Sequence, residues 1–501
     1  MATAEELLDA VDEVVSDGVR RGLLHNVVED DVLDGRHLTI EGRRLLNLGS
    51  CSYLGLETHP RMRAAVHEAV DRFGTQFSSS RVYASAPLYR EAEETLSGLF
   101  GRPTIVTPST TLGHLAALPT LVGSRDVLLL DHQVHASVQT AAKVAQASGA
   151  RVELLPHSDL RTLERKLVAY RHTARRVWYA ADGLYSMYAD FLPAAELDEL
   201  AAEHDNLWLY VDDAHAVSWT GRHGRGYALE HLAPATLART VVAASLNKSF
   251  AAAGGALALP DPETHGRVRR VGGPLIFSGP VQPPMLGAVL ASARLHLSPE
   301  VAGRQQVLRD RIRLFNRLAE DAGLPMTSPS ESPIRCIGAG VPRVAYRLVE
   351  RLRSAGYHVN TASFPAVPAR RSGARLALTA MHTEDDVAGV VAALAEHLPA
   401  AMADEGTTME DLYRAFGPRL RARWSAPRPV RARRRPALTL QTAKSIADLD
   451  AAEWDRLLGE RGAFDSAALA TYEAVFGANT SEREHAWDFT YLVVRDRSGH
   501  P

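Results

Sequence analysis

Apolar positions fall into two rhythms along this chain, and the change of rhythm marks its organisation. Over residues 1–24, Leu7, Leu8, Val11, Val14 and Val15 recur at helical spacing and predict an amphipathic helix that opens near Ala4–Glu6. Two short strands joined by a turn follow, His37-Leu-Thr-Ile40 and Leu45-Leu-Asn-Leu48. From about residue 58 to 290, helical stretches alternate with apolar, β-branched runs: Thr104–Val106, Val127–Leu130, Val152–Leu155, Val177–Ala180, Leu207–Val211 and Thr240–Ala243. Strands separated by helices predict an α/β layer architecture around a largely parallel sheet. Residues 291–400 change to helix, strand, helix, strand, the order of a smaller α+β domain.

The rhythm then stops. Residues 401–436 read as a linker, and 419–436 are rich in arginine and proline with no acid. That composition fits a solvated hinge better than an RNA or acidic-partner patch. Residues 437–501 begin a further module, with a strand at Ala437–Gln441, helices around Trp454–Leu458 and Ser466–Phe476, and a strand at Thr490–Val494. The last residues, Arg495 to Pro501, read as a hairpin turn without its return strand, as in a piece of a longer protein. The expected divisions are thus 1–57, 58–290, 291–400, 401–436 and 437–501.

Composition narrows the classes. The apolar fraction of 46% is that of a globular protein, and 501 residues exceed one ordinary core. A net charge of −3 gives no reason to expect a nucleic-acid partner. Two cysteines, no signal peptide and no evident spanning run predict a cytoplasmic, membrane-free protein, and no metal site is expected. Of 56 basic residues only four are lysines: Lys143, Lys166, Lys248 and Lys444. Arginine serves elsewhere as the solvated cation, but guanidinium stays protonated and cannot be an amine nucleophile.

Three motifs carry candidate chemistry. Lys248 follows the strand Val241–Ser245 and precedes small residues and Gly254-Gly255. An amine with little solvent has a lowered pKa and can form an imine with an aldehyde, while Ser245 can donate to a phosphate. In Leu209-Tyr-Val-Asp-Asp-Ala-His215 a strand ends in two carboxylates, and strand neighbours point to opposite faces. Asp212 is chosen for a cofactor pyridine nitrogen, and His215 for the ring oxygen. His135, after the strand Val127–Leu130, can lay its ring on a planar cofactor. Taken singly, each has a plain structural alternative: a surface lysine, a helix-capping acid pair, a packed histidine.

Their order and spacing resemble the α-oxoamine synthases over roughly residues 15–400. The likeness runs through Asn47-Leu-Gly-Ser-Cys-Ser-Tyr-Leu-Gly-Leu56, His135-Ala-Ser, Asp182-Gly-Leu-Tyr-Ser-Met187, Val211-Asp-Asp-Ala-His215, the lysine loop, Phe277-Ser-Gly-Pro280, and Val367-Pro with Ala374-Arg-Leu-Ala-Leu-Thr-Ala380. It implies the fold type I of pyridoxal-phosphate transferases, with a large domain around a mostly parallel seven-stranded sheet and a smaller α+β C-terminal domain. It implies Lys248 as the Schiff-base lysine, with Asp212, His215, His135, Asp182, Ser109, Thr110, Thr111 and Ser245 around the cofactor. Ser278 would reach the phosphate of a neighbouring subunit in a homodimer with shared active sites. Arg375 would hold a substrate carboxylate in its two-pronged fork. Residues 437–501 resemble the opening of a GNAT or Fem-like acyltransferase.

Departures cluster in particular places. Ser109-Thr-Thr-Leu-Gly-His114 lacks the family's aromatic and puts His114 where an asparagine is usual. Tyr89 replaces a histidine, Asp182 a glutamate, and Asn247 a glycine before the lysine. The implied reaction is a decarboxylating condensation of an amino acid with an acyl thioester, on coenzyme A or an acyl carrier protein, in specialised metabolism. Transamination or decarboxylation on the same cofactor is the alternative enzyme reading. A degenerate scaffold for the acyltransferase segment is the other, and it would need none of Lys248, Asp212, His135 and His215.

Overall fold

The structure is a computed structural model, described here for residues 4–417, 420, 439–459, 464–477 and 486–495. It divides into two compact units, Met1–Arg423 and Trp424–Pro501. The first opens with the helix Ala4–Arg20, then strands β1 (His37–Ile40) and β2 (Arg43–Asn47), paired antiparallel.

Seven strands build the central sheet: β3 (Thr104–Thr107), β4 (Val127–Asp131), β5 (Arg151–Leu155), β6 (Val177–Asp182), β7 (Leu207–Asp212), β8 (Thr240–Ser245) and β9 (Gly255–Ala258). Their spatial order is β3-β9-β8-β7-β6-β4-β5. Only β9 runs against the rest, antiparallel to both β3 and β8. Every residue of β3, β4, β6, β8 and β9 is buried, so these strands read as unbroken apolar runs and not as alternation. The mostly parallel α/β sheet expected from the sequence is present. β9 was not anticipated, because Gly-Ala-Leu-Ala carries little of a strand's usual composition. The carboxyl ends of β4, β6, β7 and β8 present Asp131, Asp182, Asp212 and Ser245, with Asp182 and Asp212 side by side in register.

A second lobe of the same unit holds β10 (Ile334–Gly340), β11 (Tyr357–His358), β12 (Asn360–Ala362) and β13 (Ser372–Ala377), the last pairing antiparallel with β10 and β12. β11 joins β2 in parallel, so the N-terminal segment is sewn to this lobe. The helix Glu384–Asp404 is long and apolar enough to cross a membrane by length and composition, contrary to the reading that no run is. It instead buries Val387, Val390, Leu394 and Leu398 in the core.

The linker expected to begin at 401 begins too early. The helix Met409–Phe416 follows, opened by a capping box in which Thr408 and Asp411 satisfy each other's backbone N–H. Its Leu412 and Phe416 are buried against the second lobe, and Leu420 packs there too. The rest of the Arg/Pro stretch, 421–436, lies outside the described residues.

In the second unit β14 (Thr439–Ala443) pairs antiparallel with β15 (Tyr491–Arg495), with the helices Ala451–Leu458 and Ser466–Tyr472 between them in sequence. Ala443, Ile446, Leu469 and Tyr491 form its small core. The turn expected after Arg495 lies outside the described residues.

Candidate active site

Lys248 stands in a closed bend between β8 and β9. Leu246 N–H donates to Gly254 O (3.0 Å), and Ala252 N–H returns to Leu246 O (2.8 Å). Gly254 has φ +98°, and a Cβ there would lie 2.6 Å from Thr107 O, so both conformation and space call for glycine. The lysine is half-buried. Burial lowers its pKa below the ordinary ammonium range, while Asp212 pulls the other way. Beside it lies a cavity of about 390 Å³, whose walls include Cys51, Glu57, Asn247, Ala251 and Ala252.

Asp212 is 5% exposed. Its Oδ1 accepts from Ala214 N–H (3.1 Å) and its Oδ2 from His114 Nε2 (3.0 Å). Burial disfavours the charge, yet His114 and Lys248 outweigh it and hold this carboxyl well below the usual range. Asp182, its neighbour on β6, goes the other way. Burial, with Asp212 adding to it, pushes the Asp182 carboxyl well up, although Oδ1 accepts from His135 N–H (3.0 Å). Of the two adjacent acids Asp213 points elsewhere. Its Oδ2 accepts from Ala228 N–H (3.0 Å), and it packs so close that a Cβ on Gly183 or Gly226 would collide with it.

His135 caps the helix Ala136–Ala147 and bonds through Nδ1 to Ser137 Oγ (2.6 Å), which leaves its ring at the mouth of the site. Burial lowers its pKa, with Asp212 opposing and Lys248 and His114 adding. His215 is buried, with Nδ1 against Tyr53 Oη (2.9 Å), and burial drives it well toward the neutral ring. Arg375, on β13, is 6% exposed and donates from Nε to Ser186 O (2.7 Å), with its guanidinium also beside the Tyr53 hydroxyl. It acts electrostatically on Lys248, His215 and Tyr53, so it belongs to the same cluster. The loop bearing Ser186 is itself clamped, because His157 bridges Asp131 and Asp190. Burial opposes charging of His157, but those two carboxylates bring it up to about 9.

Ser109 caps the helix Thr110–Leu121, accepting from Leu112 N–H (3.1 Å), and Thr110 Oγ1 donates to Ala244 O (3.4 Å). A Cβ on Gly255 would lie 2.7 Å from Thr110 N, so β9 needs glycine there to let this helix start approach. Thr111 is exposed, and the backbone N–H groups of the helix N-terminus with the Ser109 and Thr111 hydroxyls are neutral donors suited to an anion. Ser245 is held by Asn247. Ser278 is half-buried after the helix Gly273–Phe277, and among the described residues it makes no hydrogen bond to this cluster. Its loop is anchored by Tyr89, whose Oη accepts from Val281 N–H (2.6 Å), which gives that departure a structural role. Phe277 and Tyr83 nearby are each 88% exposed.

The structure therefore brings together Lys248, Asp212, Asp182, His135, His215 and Arg375, and adds Tyr53, His114 and Tyr210, which the sequence reading did not select. His114 is fully buried, with Nδ1 against Tyr210 Oη (2.8 Å). Tyr53 lay within a quoted motif and His114 among the noted departures, but neither contact is local in sequence. The donor set fits pyridoxal phosphate: a lysine of lowered pKa, an ionised carboxylate for a ring nitrogen, and an anion-binding helix start.

A family model described as aminotransferase class I and II matches residues 43–394. The chain is 31% identical over 389 residues to an 8-amino-7-oxononanoate synthase of Maricaulis maris, covering 77% of this chain and 95% of that protein. It is 32% identical over 363 residues to the enzyme of that name from Geobacter sulfurreducens, covering 72% and 90%. Among solved structures, a serine palmitoyltransferase of Sphingomonas wittichii superposes with a TM-score of 0.73 at 25% identity, over 80% of this chain and all of that one.

Proposed function

This chain belongs to the aminotransferase class I and II family, in its α-oxoamine synthase branch, and we propose that it condenses an amino acid with an acyl thioester. Carbon dioxide and the free thiol leave, and an α-amino ketone remains. The observation that carries the reading is the cluster at the carboxyl ends of β6, β7 and β8, where ligands bind in open α/β sheets. Pyridoxal phosphate, when bound, supplies an aldehyde and an electron sink at the amino acid's α-carbon.

The chain's own residues do the rest. Lys248, with its lowered pKa, holds the cofactor and later serves as the base at the α-proton. Asp212, held ionised, would pair with the ring nitrogen, and Asp182 fixes the backbone at His135, whose ring would cover the cofactor. Neutral His215, oriented by Tyr53, meets the ring oxygen. Ser109, Thr110, Thr111 and Ser245 hold the phosphate. Arg375 takes the amino acid's carboxylate and thereby orients the bond to be broken. Two chains form the working unit, each lending Ser278 to the other's phosphate, and the exposed Phe277 and Tyr83 beside that loop support such a contact. The acyl donor is a thioester of coenzyme A or of an acyl carrier protein.

The test is α-proton exchange. The purified protein, incubated in deuterated water with single amino acids and pyridoxal phosphate, should wash out the α-proton of its substrate. Carbon dioxide should be released only when a thioester is added. Transfer of the amino group without carbon dioxide release would replace this reading with transamination.

A further inference from the structure

We infer that His114 is a positioning residue that acts through Asp212 to set the charge offered to the cofactor's ring nitrogen. The inference rests on the proposed cofactor site and extends it to a residue outside the expected ring contacts. Among the described residues His114 is the only side chain hydrogen-bonded to Asp212, at 3.0 Å to Oδ2, and Ala214 N–H fixes Oδ1. A carboxylate can only accept, so Nε2 carries the proton. Nδ1 lies 2.8 Å from Tyr210 Oη, which donates to a neutral ring and accepts from a charged one. Burial keeps the Tyr210 phenol protonated, and the row Tyr210, His114, Asp212 is satisfied at each link.

All three side chains are buried, at 0% for Tyr210 and His114 and 5% for Asp212. In so dry a place a charged hydrogen bond is worth more than in water, and an unmet one costs more. Each carboxylate oxygen keeps a second lone pair, so Asp212 can still face a ring nitrogen. By keeping Asp212 ionised and fixed in one orientation, His114 maintains it as a partner for that nitrogen. The histidine comes from the helix Thr110–Leu121, whose first residues are the proposed phosphate donors, so one helix serves both ends of the cofactor. A filler in this place would need no hydrogen-bonding atoms.

The test compares pyridoxal phosphate with an analogue carrying C–H in place of the ring nitrogen, bound to the full-length apo-protein and followed by absorbance and fluorescence titration. The wild-type chain should prefer the natural cofactor. His114→Phe should shrink that preference about tenfold or more, the size of one lost hydrogen bond to a charged group. Affinity for the analogue itself should stay within about twofold. His114→Gln, which returns an N–H near Nε2, should recover most of the preference, and Tyr210→Phe should give a smaller loss. Equal losses for both cofactors, or an unchanged preference in His114→Phe, would overturn the inference and leave the cofactor site standing. Failure of the wild-type protein to bind either compound would overturn the proposed function as well.

Discussion

Asp213→Asn isolates a cost that the fold carries for a reason unrelated to chemistry. The Asp213 side chain is fully buried, accepts from Ala228 N–H with Tyr227 N–H close by, and leaves Oδ1 with no partner among the described residues. Burial pushes its carboxyl from the ordinary 3.8 up to about 7, against the pull of Ala228. The folded state thus holds this proton more tightly than the unfolded chain does. Its contribution is fully present below pH 3.8 and is lost as pH rises through about 7. At about 1.4 kcal/mol per pH unit, the native state forfeits roughly 4 kcal/mol by pH 8. An amide keeps the shape and does not titrate. Urea unfolding of the full chain, followed by far-ultraviolet circular dichroism at pH 5 and pH 8, should show the variant gaining about 2–3 kcal/mol relative to wild type between the two. Parallel pH curves for variant and wild type would refute the reasoning.

Replacing Lys248 by Ala should abolish the imine absorption band expected of the cofactor-loaded protein and slow α-proton exchange by at least ~10²–10⁴-fold, as losing a general base does. Borohydride reduction followed by peptide mapping should tag Lys248, and a tag on Lys143, Lys166 or Lys444 would contradict the assignment. Arg375→Ala should weaken the amino acid's apparent affinity by roughly 1.5–3 kcal/mol in exchange assays, and unchanged affinity would move the carboxylate site elsewhere. A chain ending at Arg423 should keep dimer mass by light scattering, colour and proton exchange, and a colourless or monomeric product would show that Trp424–Pro501 completes the core.

Much of this site was legible because each motif lies at a strand end, where apolar runs stop abruptly at a charged residue. Asp212 and Lys248 announce themselves in that way. Alternation correctly separated Asp212 from Asp213, since a strand sends neighbours to opposite faces. The partners that orient these groups left no local trace. His114 reaches Asp212 across 98 positions, and Tyr53 reaches His215 across 162. Such pairs exist only once the sheet has brought distant strands into register. The misplaced linker has a different origin. Thr408 and Asp411 spell a capping signal that was readable, but the arginines farther on dominated the composition.

The stitching of β2 to β11 gives residues 48–53 the part of a ruler. At one end Leu48 O accepts from Ala377 N–H (2.7 Å), two residues beyond Arg375. At the other, Tyr53 O accepts from Ala380 N–H (2.8 Å) while its hydroxyl meets His215 on the sheet's side. The distance from the Arg375 strand to the His215 side of the site is therefore set by a fixed number of peptide units. Substitutions at Ser50, Cys51 or Ser52 change what lines the cavity without altering the gauge. Inserting or deleting one residue between Leu48 and Tyr53 would shift every later side chain by a step and pull the two lobes out of alignment. Ser50, Cys51 and Ser52, which line the cavity, are free in kind, while the segment as a whole is closed in length.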